Sequence, residues 1–110
     1  MGIRENKVET YFKDQIKSIG GMTRKWVSPG VDGVPDQIVI IEPSIFFVEV
    51  KTFNGRLSPA QKREHKRLRD NGATVSTVYG YEGVDLFILD MKHYNRPLSK
   101  SYKTSSKYKR

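Results

Sequence analysis

Two apolar runs, Gln37–Ile41 and residues 45–50, flank the short break Glu42-Pro43-Ser44, and no other feature of the chain constrains its fold as much. Both are rich in β-branched and aromatic residues, which suit a pleated, half-buried surface. A break this short joins antiparallel neighbours and leaves no room for a crossover, so the chain must build around a hairpin. Upstream, Val8, Tyr11, Phe12, Ile16 and Ile19 recur at helical spacing and predict an amphipathic helix over residues 3–19, stopped by Gly20-Gly21. Residues 22–27 then read as a strand and the Gly- and Pro-rich residues 28–34 as a loop.

Downstream, Ser58-Pro59-Ala60-Gln61 has the marks of a helix start: Ser58 caps, Pro59 suits the first turn and Gln61 completes a capping box. That helix is expected to end at Asn71-Gly72. Residues 74–79 alternate as a strand does, and 84–91 read as a short helix in preference to another strand. The order α-β-β-β-α-β makes this an α/β chain with a mixed central sheet flanked by helices.

At 110 residues the chain has room for one compact domain, with no separate catalytic and recognition units. Its net charge of +8 points to a polyanionic partner. Six of the basic residues fall between Arg96 and Arg110, where there is no acid, leaving only +2 for residues 1–95. The expected organisation is therefore a domain over 1–95 and a basic tail over 96–110, disordered until it meets a partner. The absence of cysteine excludes disulfides, thiolate metal sites and a cysteine nucleophile. No apolar run approaches membrane-spanning length and the N-terminus has no signal-peptide centre, so the expectation is a cytoplasmic protein with no membrane partner.

Hydrolysis of a phosphodiester calls for a hard divalent cation, and carboxylates are the ligands such cations prefer. Asp36 opens one strand of the hairpin and Glu49 nearly closes the other, so the two acids are expected at one end of the sheet. Glu49 and Lys51 share a face of an extended strand while Val48 and Val50 point into the core. Lys51 would orient the attacking water or steady charge on the phosphate. An acid-x-Lys triplet is common in so charged a chain, occurring also at Glu5, Glu64 and Asp90. Only the copy at Glu49 ends an apolar strand and follows a Pro-Asp that opens the preceding one.

Gly33-Val34-Pro35-Asp36, Phe47-Val48-Glu49-Val50-Lys51 and Leu57-Ser58-Pro59-Ala60-Gln61 resemble, in order and spacing, the successive blocks of the virus-type replication-repair nuclease (VRR-NUC) domain family. Glu9 and the turn Gly20-Gly21 also match, so the resemblance runs from about Val8 to Tyr79. It implies a restriction-endonuclease-like PD-(D/E)xK core, dependence on Mg²⁺ with Mn²⁺ able to substitute, no small-molecule cofactor, and action on branched or flapped DNA. Stand-alone members of this size resemble phage proteins. Carried over residue by residue, the resemblance makes Asp36 and Glu49 metal ligands, with the Val50 carbonyl as a further donor. Lys51 becomes the catalytic lysine, Gln61 an active-site residue, and Glu9 the carboxylate of the first helix.

Plainer readings stand beside these. Gln61 is explained by the capping box alone, Glu9 by an i,i+4 pair with Lys13, and Asp36 by a turn. Glu5, one turn before Glu9, could exchange with it, and Asp32 could approach the metal. His65, set among Lys62, Arg63, Lys66, Arg67 and Arg69, is expected to be exposed, and Trp26 to be core. Lys62, Arg63, Lys66 and Arg67, with Lys100 and Lys103 of the tail, are the expected nucleic-acid contacts. The functional expectation is a metal-dependent endonuclease of branched DNA, first a four-way (Holliday) junction resolvase acting as a homodimer. Its alternatives are a flap or nicking endonuclease and a non-catalytic DNA-binding accessory protein.

Overall fold

The computed structural model describes the backbone of residues 3–93 and 99–104, with side chains from Lys7 onward. Helix α1 (Ile3–Ser18) leads to β1 (Met22–Lys25), the hairpin of β2 (Gln37–Ile41) and β3 (Ser44–Lys51), helix α2 (Pro59–Asp70), β4 (Val75–Tyr79), helix α3 (Gly80–His93) and β5 (Ser101–Tyr102). The strands form one sheet in the order β1-β2-β3-β4-β5. The β1–β2 and β2–β3 pairs are antiparallel, whereas β3–β4 and β4–β5 are parallel, with α2 and α3 as the connections. The sheet is therefore mixed, as the sequence implies. The region 84–91 is helical, and its helix starts earlier, at Gly80.

Alternation along β3 sorts its side chains onto two unlike faces. Phe46, Val48 and Val50 are fully buried with Val39 and Val78, against Val8, Phe12 and Ile16 of α1 and Val84 and Phe87 of α3. Aromatic rings join the layers: Phe87 packs against Phe12, Phe46 and Tyr102 at centroid separations of 5.6, 5.8 and 5.2 Å. Glu49, Lys51, Thr77 and Tyr79 point to the opposite face, where α2 lies. The turn after α1 depends on Gly20, whose φ of 89° is strained for any other residue; the Gly21 N–H then reaches back to the Ile16 carbonyl at 2.9 Å.

One expectation needs correction. Residues 99–104, read as part of a disordered tail, include a strand of the sheet. The reason is Tyr102, which is 3% exposed and donates its hydroxyl to Asp90 at 2.7 Å, while Lys100 pairs with the same carboxylate at 2.9 Å. Those two contacts, the Tyr102 hydroxyl first, hold the Asp90 carboxyl below its usual range. An apolar ring with a polar tip anchors a segment that its lysine and serine content alone would leave solvated. The tail residues 105–110 lie outside the described residues.

Candidate active site

The register of β2 on β3 pairs Gln37 with Val48, so the next residues outward, Asp36 and Glu49, stand opposite one another. Asp36 is fixed by an N–H from the neighbouring strand: Val50 donates to its Oδ2 at 3.0 Å. The loop before it owes its path to Gly33, whose φ is +90° and whose missing Cβ would lie 2.4 Å from the Ala60 carbonyl oxygen. The glycine thus lets the Asp36 loop press against the first turn of α2, joining two of the sequence blocks in space.

Glu49 is 1% exposed, and two sets of groups hold it. Gln61 donates its side-chain amide to Oε2 at 3.1 Å, and the Lys51 ammonium lies 3.7 Å from the same oxygen. Oε1 has no hydrogen-bond partner among the described residues. The Asp36 carboxyl is pushed up to about 6, first by burial and then by the Glu49 charge, which together outweigh the Val50 N–H and the Lys25 ammonium. The same negative charge adds to burial in raising the Tyr79 hydroxyl. Two acids crowded together, one with an orphaned buried oxygen, form a site that a divalent cation would relieve.

Gln61 serves both of its readings. Its Oε1 accepts the Ser58 N–H at 2.8 Å, the Ser58 hydroxyl accepts the Gln61 N–H at 3.0 Å, and its amide nitrogen remains free for Glu49. The capping box therefore presets the rotamer that reaches the carboxylate. Glu9 likewise keeps its i,i+4 partner, Lys13 at 3.5 Å, but also accepts from Gln37 at 2.8 Å and lies 3.4 Å from Lys25. It is tied to the residue after Asp36, on the α1 side of the sheet, and no contact joins it to Glu49. Asp32 is exposed in the loop, and the Glu5 side chain lies outside those described.

His65 is not exposed. It is 1% accessible, with Nε2 3.7 Å from Glu49 Oε1. The correction has a simple cause: α2 has almost no apolar residues, so its inward face is whatever repeats at helical spacing between the basic positions, namely Gln61, Glu64, His65 and Leu68. That spacing was the available signal. Lys25 and Gln37 gave none, because their roles depend on how α1 meets the sheet. Trp26, expected in the core, is only half-buried against Phe47, with ring centroids 4.9 Å apart.

The expected nucleic-acid contacts divide. Lys62 and Arg63 are exposed on α2 and form no ion pair among the described residues. Lys66 is paired with Asp70 at 2.8 Å and Arg67 with Glu64 at 3.0 Å, although both basic side chains are exposed. Lys100 is engaged by Asp90, whereas Lys103 lies 4.8 Å from the centre of the Tyr79 ring, itself across from Lys51 in the β3–β4 register.

Residues 8–82 match the model of the VRR-NUC domain. The chain belongs to the VRR-NUC family. A relative described as "Putative nuclease p44", from Acyrthosiphon pisum secondary endosymbiont phage 1, is 43% identical over 67 residues, covering 60% of this chain and 72% of that one. A solved VRR-NUC domain superposes with a TM-score of 0.74 at 38% identity over 84% of this chain and 99% of its own. Archaeoglobus fulgidus Hjc, a Holliday junction resolvase, shares the fold at a TM-score of 0.52 and 17% identity over 68% of this chain and 67% of its own. The VRR-NUC chain is thus a nuclease with the restriction-endonuclease-like fold, and among its described residues no helix is long and apolar enough to cross a membrane.

Proposed function

We propose that this VRR-NUC protein is a Mg²⁺-dependent endonuclease of branched DNA, with Asp36 and Glu49 as cation ligands. The observation that carries the reading is the facing pair itself: a buried Glu49 with a free oxygen, opposite an Asp36 whose carboxyl burial and Glu49 push up to about 6. Among the described residues no group of three or more His, Cys, Asp or Glu is arranged to hold a metal ion, which leaves the two carboxylates as the protein's acidic donors. That donor set suits Mg²⁺, which keeps several waters and takes one or two carboxylates together with phosphate oxygens. Mn²⁺, a similar hard cation, is expected to substitute, and the Val50 carbonyl is the candidate for a further oxygen that the family resemblance gives.

A bound cation supplies Lewis acidity to the phosphate and a lower pKa to a coordinated water. The protein's own side chains do the rest. Lys51, beside Glu49 on the same strand face, holds the attacking water or meets charge building on the phosphate. Gln61 fixes the Glu49 carboxylate, and the network of Gln37, Lys25 and Glu9 steadies the strand end that bears Asp36. Lys62 and Arg63 on α2, with Lys103 beside Tyr79, flank the site with positive charge for the DNA backbone.

Within branched substrates a four-way junction is the preferred reading. The fold shared with Hjc supports it, and one such carboxylate pair among the described residues makes a two-fold dimer the economical way to place two symmetric cuts. Met22 and Ile45, 42% and 66% exposed, lie either side of Ile40 on the open face of the sheet and offer apolar surface for that contact. The test is a panel of junction, flap, nicked and linear duplex DNA with Mg²⁺, run with wild type and Lys51→Ala. Metal-dependent cutting of the junction, lost in the variant, is expected. Preference for a flap or nick would redirect the substrate assignment, and full binding without cutting by the wild type would make the protein a DNA-binding accessory.

A further inference from the structure

We infer that His65 is a positioning residue, holding the Glu49 carboxylate from the side opposite Gln61 so that Oε1 presents a fixed direction to the cation. The inference rests on the reading above that Asp36 and Glu49 bind a divalent ion.

Gln61 and His65 lie one turn apart on α2 and so share a face. The first reaches Glu49 Oε2 at 3.1 Å and the second approaches Oε1 at 3.7 Å. Glu49 Oε1 and both ring nitrogens of His65 are buried without a hydrogen-bond partner among the described residues. Three unsatisfied polar atoms in one place are expensive, and a histidine that merely filled space under α2 would be better replaced by an apolar side chain. A small shift of the imidazole, with its proton on Nε2, brings donor and acceptor into bonding range and satisfies two of the three atoms together.

Such a bond would fix the plane of the carboxylate. Held only at Oε2, the group can turn about that contact and change the direction of Oε1; a donor on each oxygen prevents this. Oε1 has two lone-pair directions, so one can accept from His65 while the other faces the ion. Helix α2 then grips Glu49 through both side chains, and the capping box at Ser58 anchors the grip.

Calorimetric titration of the full chain with Mn²⁺, without DNA, tests this on His65→Phe and His65→Gln. Phenylalanine fills the space and cannot donate, whereas the glutamine amide can place an N–H near the position of Nε2. We expect His65→Phe to weaken Mn²⁺ binding by about ten- to hundredfold, and His65→Gln to bind close to wild type. Unchanged binding in His65→Phe would overturn the inference alone and leave the carboxylate site standing. Equal losses in two folded variants would also overturn it, assigning the imidazole to the ion directly. If His65→Phe has no cooperative melt, His65→Gln decides: near-native affinity supports the positioning role, and a loss as large as that of a ligand removes it. No binding by the wild type would sink both the inference and the cation site.

Discussion

The two faces of β3 differ sharply in what they bury. On one, Phe46, Val48 and Val50 are sealed beneath α1 and α3, with no polar side chain of their own strand among them. On the other, the buried Glu49 and the partly buried Lys51 carry opposite charges and lie under a helix whose inward positions, Leu68 apart, are polar. A strand period of two lets one segment do both, because every second side chain crosses the sheet. The dry face holds the fold, and the polar face holds unmet electrostatic demand. Stability and chemistry are therefore assigned to alternate residues of one strand, and substitutions on the two faces should have different signatures.

The largest effect is expected from Glu49→Gln, which keeps the shape and removes the charge: Mg²⁺-dependent cleavage should fall to background while thermal melting stays near wild type. Melting and cleavage measured on the same preparation check this, and a large loss of stability would mean that the two faces are not separable. Next comes Phe46→Ala on the dry face, which should destabilise the protein by about 3–5 kcal/mol. Chemical denaturation measures it, and any cleavage surviving in the folded fraction should keep its usual Mg²⁺ dependence.

The smallest effect concerns Asp36→Asn in metal-free protein. The folded carboxyl is raised to about 6 from 3.8, so protonation favours the folded state. The contribution of Asp36 to stability is full below pH 3.8 and is lost as the pH rises to about 6. The variant lacks this titration. Its melting temperature relative to wild type should accordingly climb across that window and stay higher above it, an advantage that Mg²⁺ should erase by stabilising only the wild type. A difference that does not change with pH would mean that the pair is already neutralised by the protein.

Much of this arrangement was legible in the sequence, and the reason is that it is local. The hairpin followed from two β-branched runs and a short break, and the α2 cap from Ser58 and Gln61 within four residues of chain. Asp36 and Glu49 could be placed together because a hairpin fixes register once its turn is known. What escaped the sequence depends on packing between distant elements. His65 was hidden by its basic neighbours, since charge along a helix says little about which side faces inward when no apolar stripe marks it. Tyr102 and β5 were hidden by a lysine- and serine-rich setting, and the Glu9–Gln37–Lys25 cluster by the angle at which α1 crosses the sheet.

On the proposed reading, the polar end of this sheet holds a divalent cation between Asp36 and Glu49. An anomalous difference map from crystals soaked in Mn²⁺ tests it most directly. A peak is expected about 2.0–2.2 Å from an oxygen of each carboxylate, a distance typical of hard divalent ions, and absent from Glu49→Gln crystals treated in the same way. A map with no peak between the two side chains, from protein that cleaves DNA in the same Mn²⁺ solution, would contradict it.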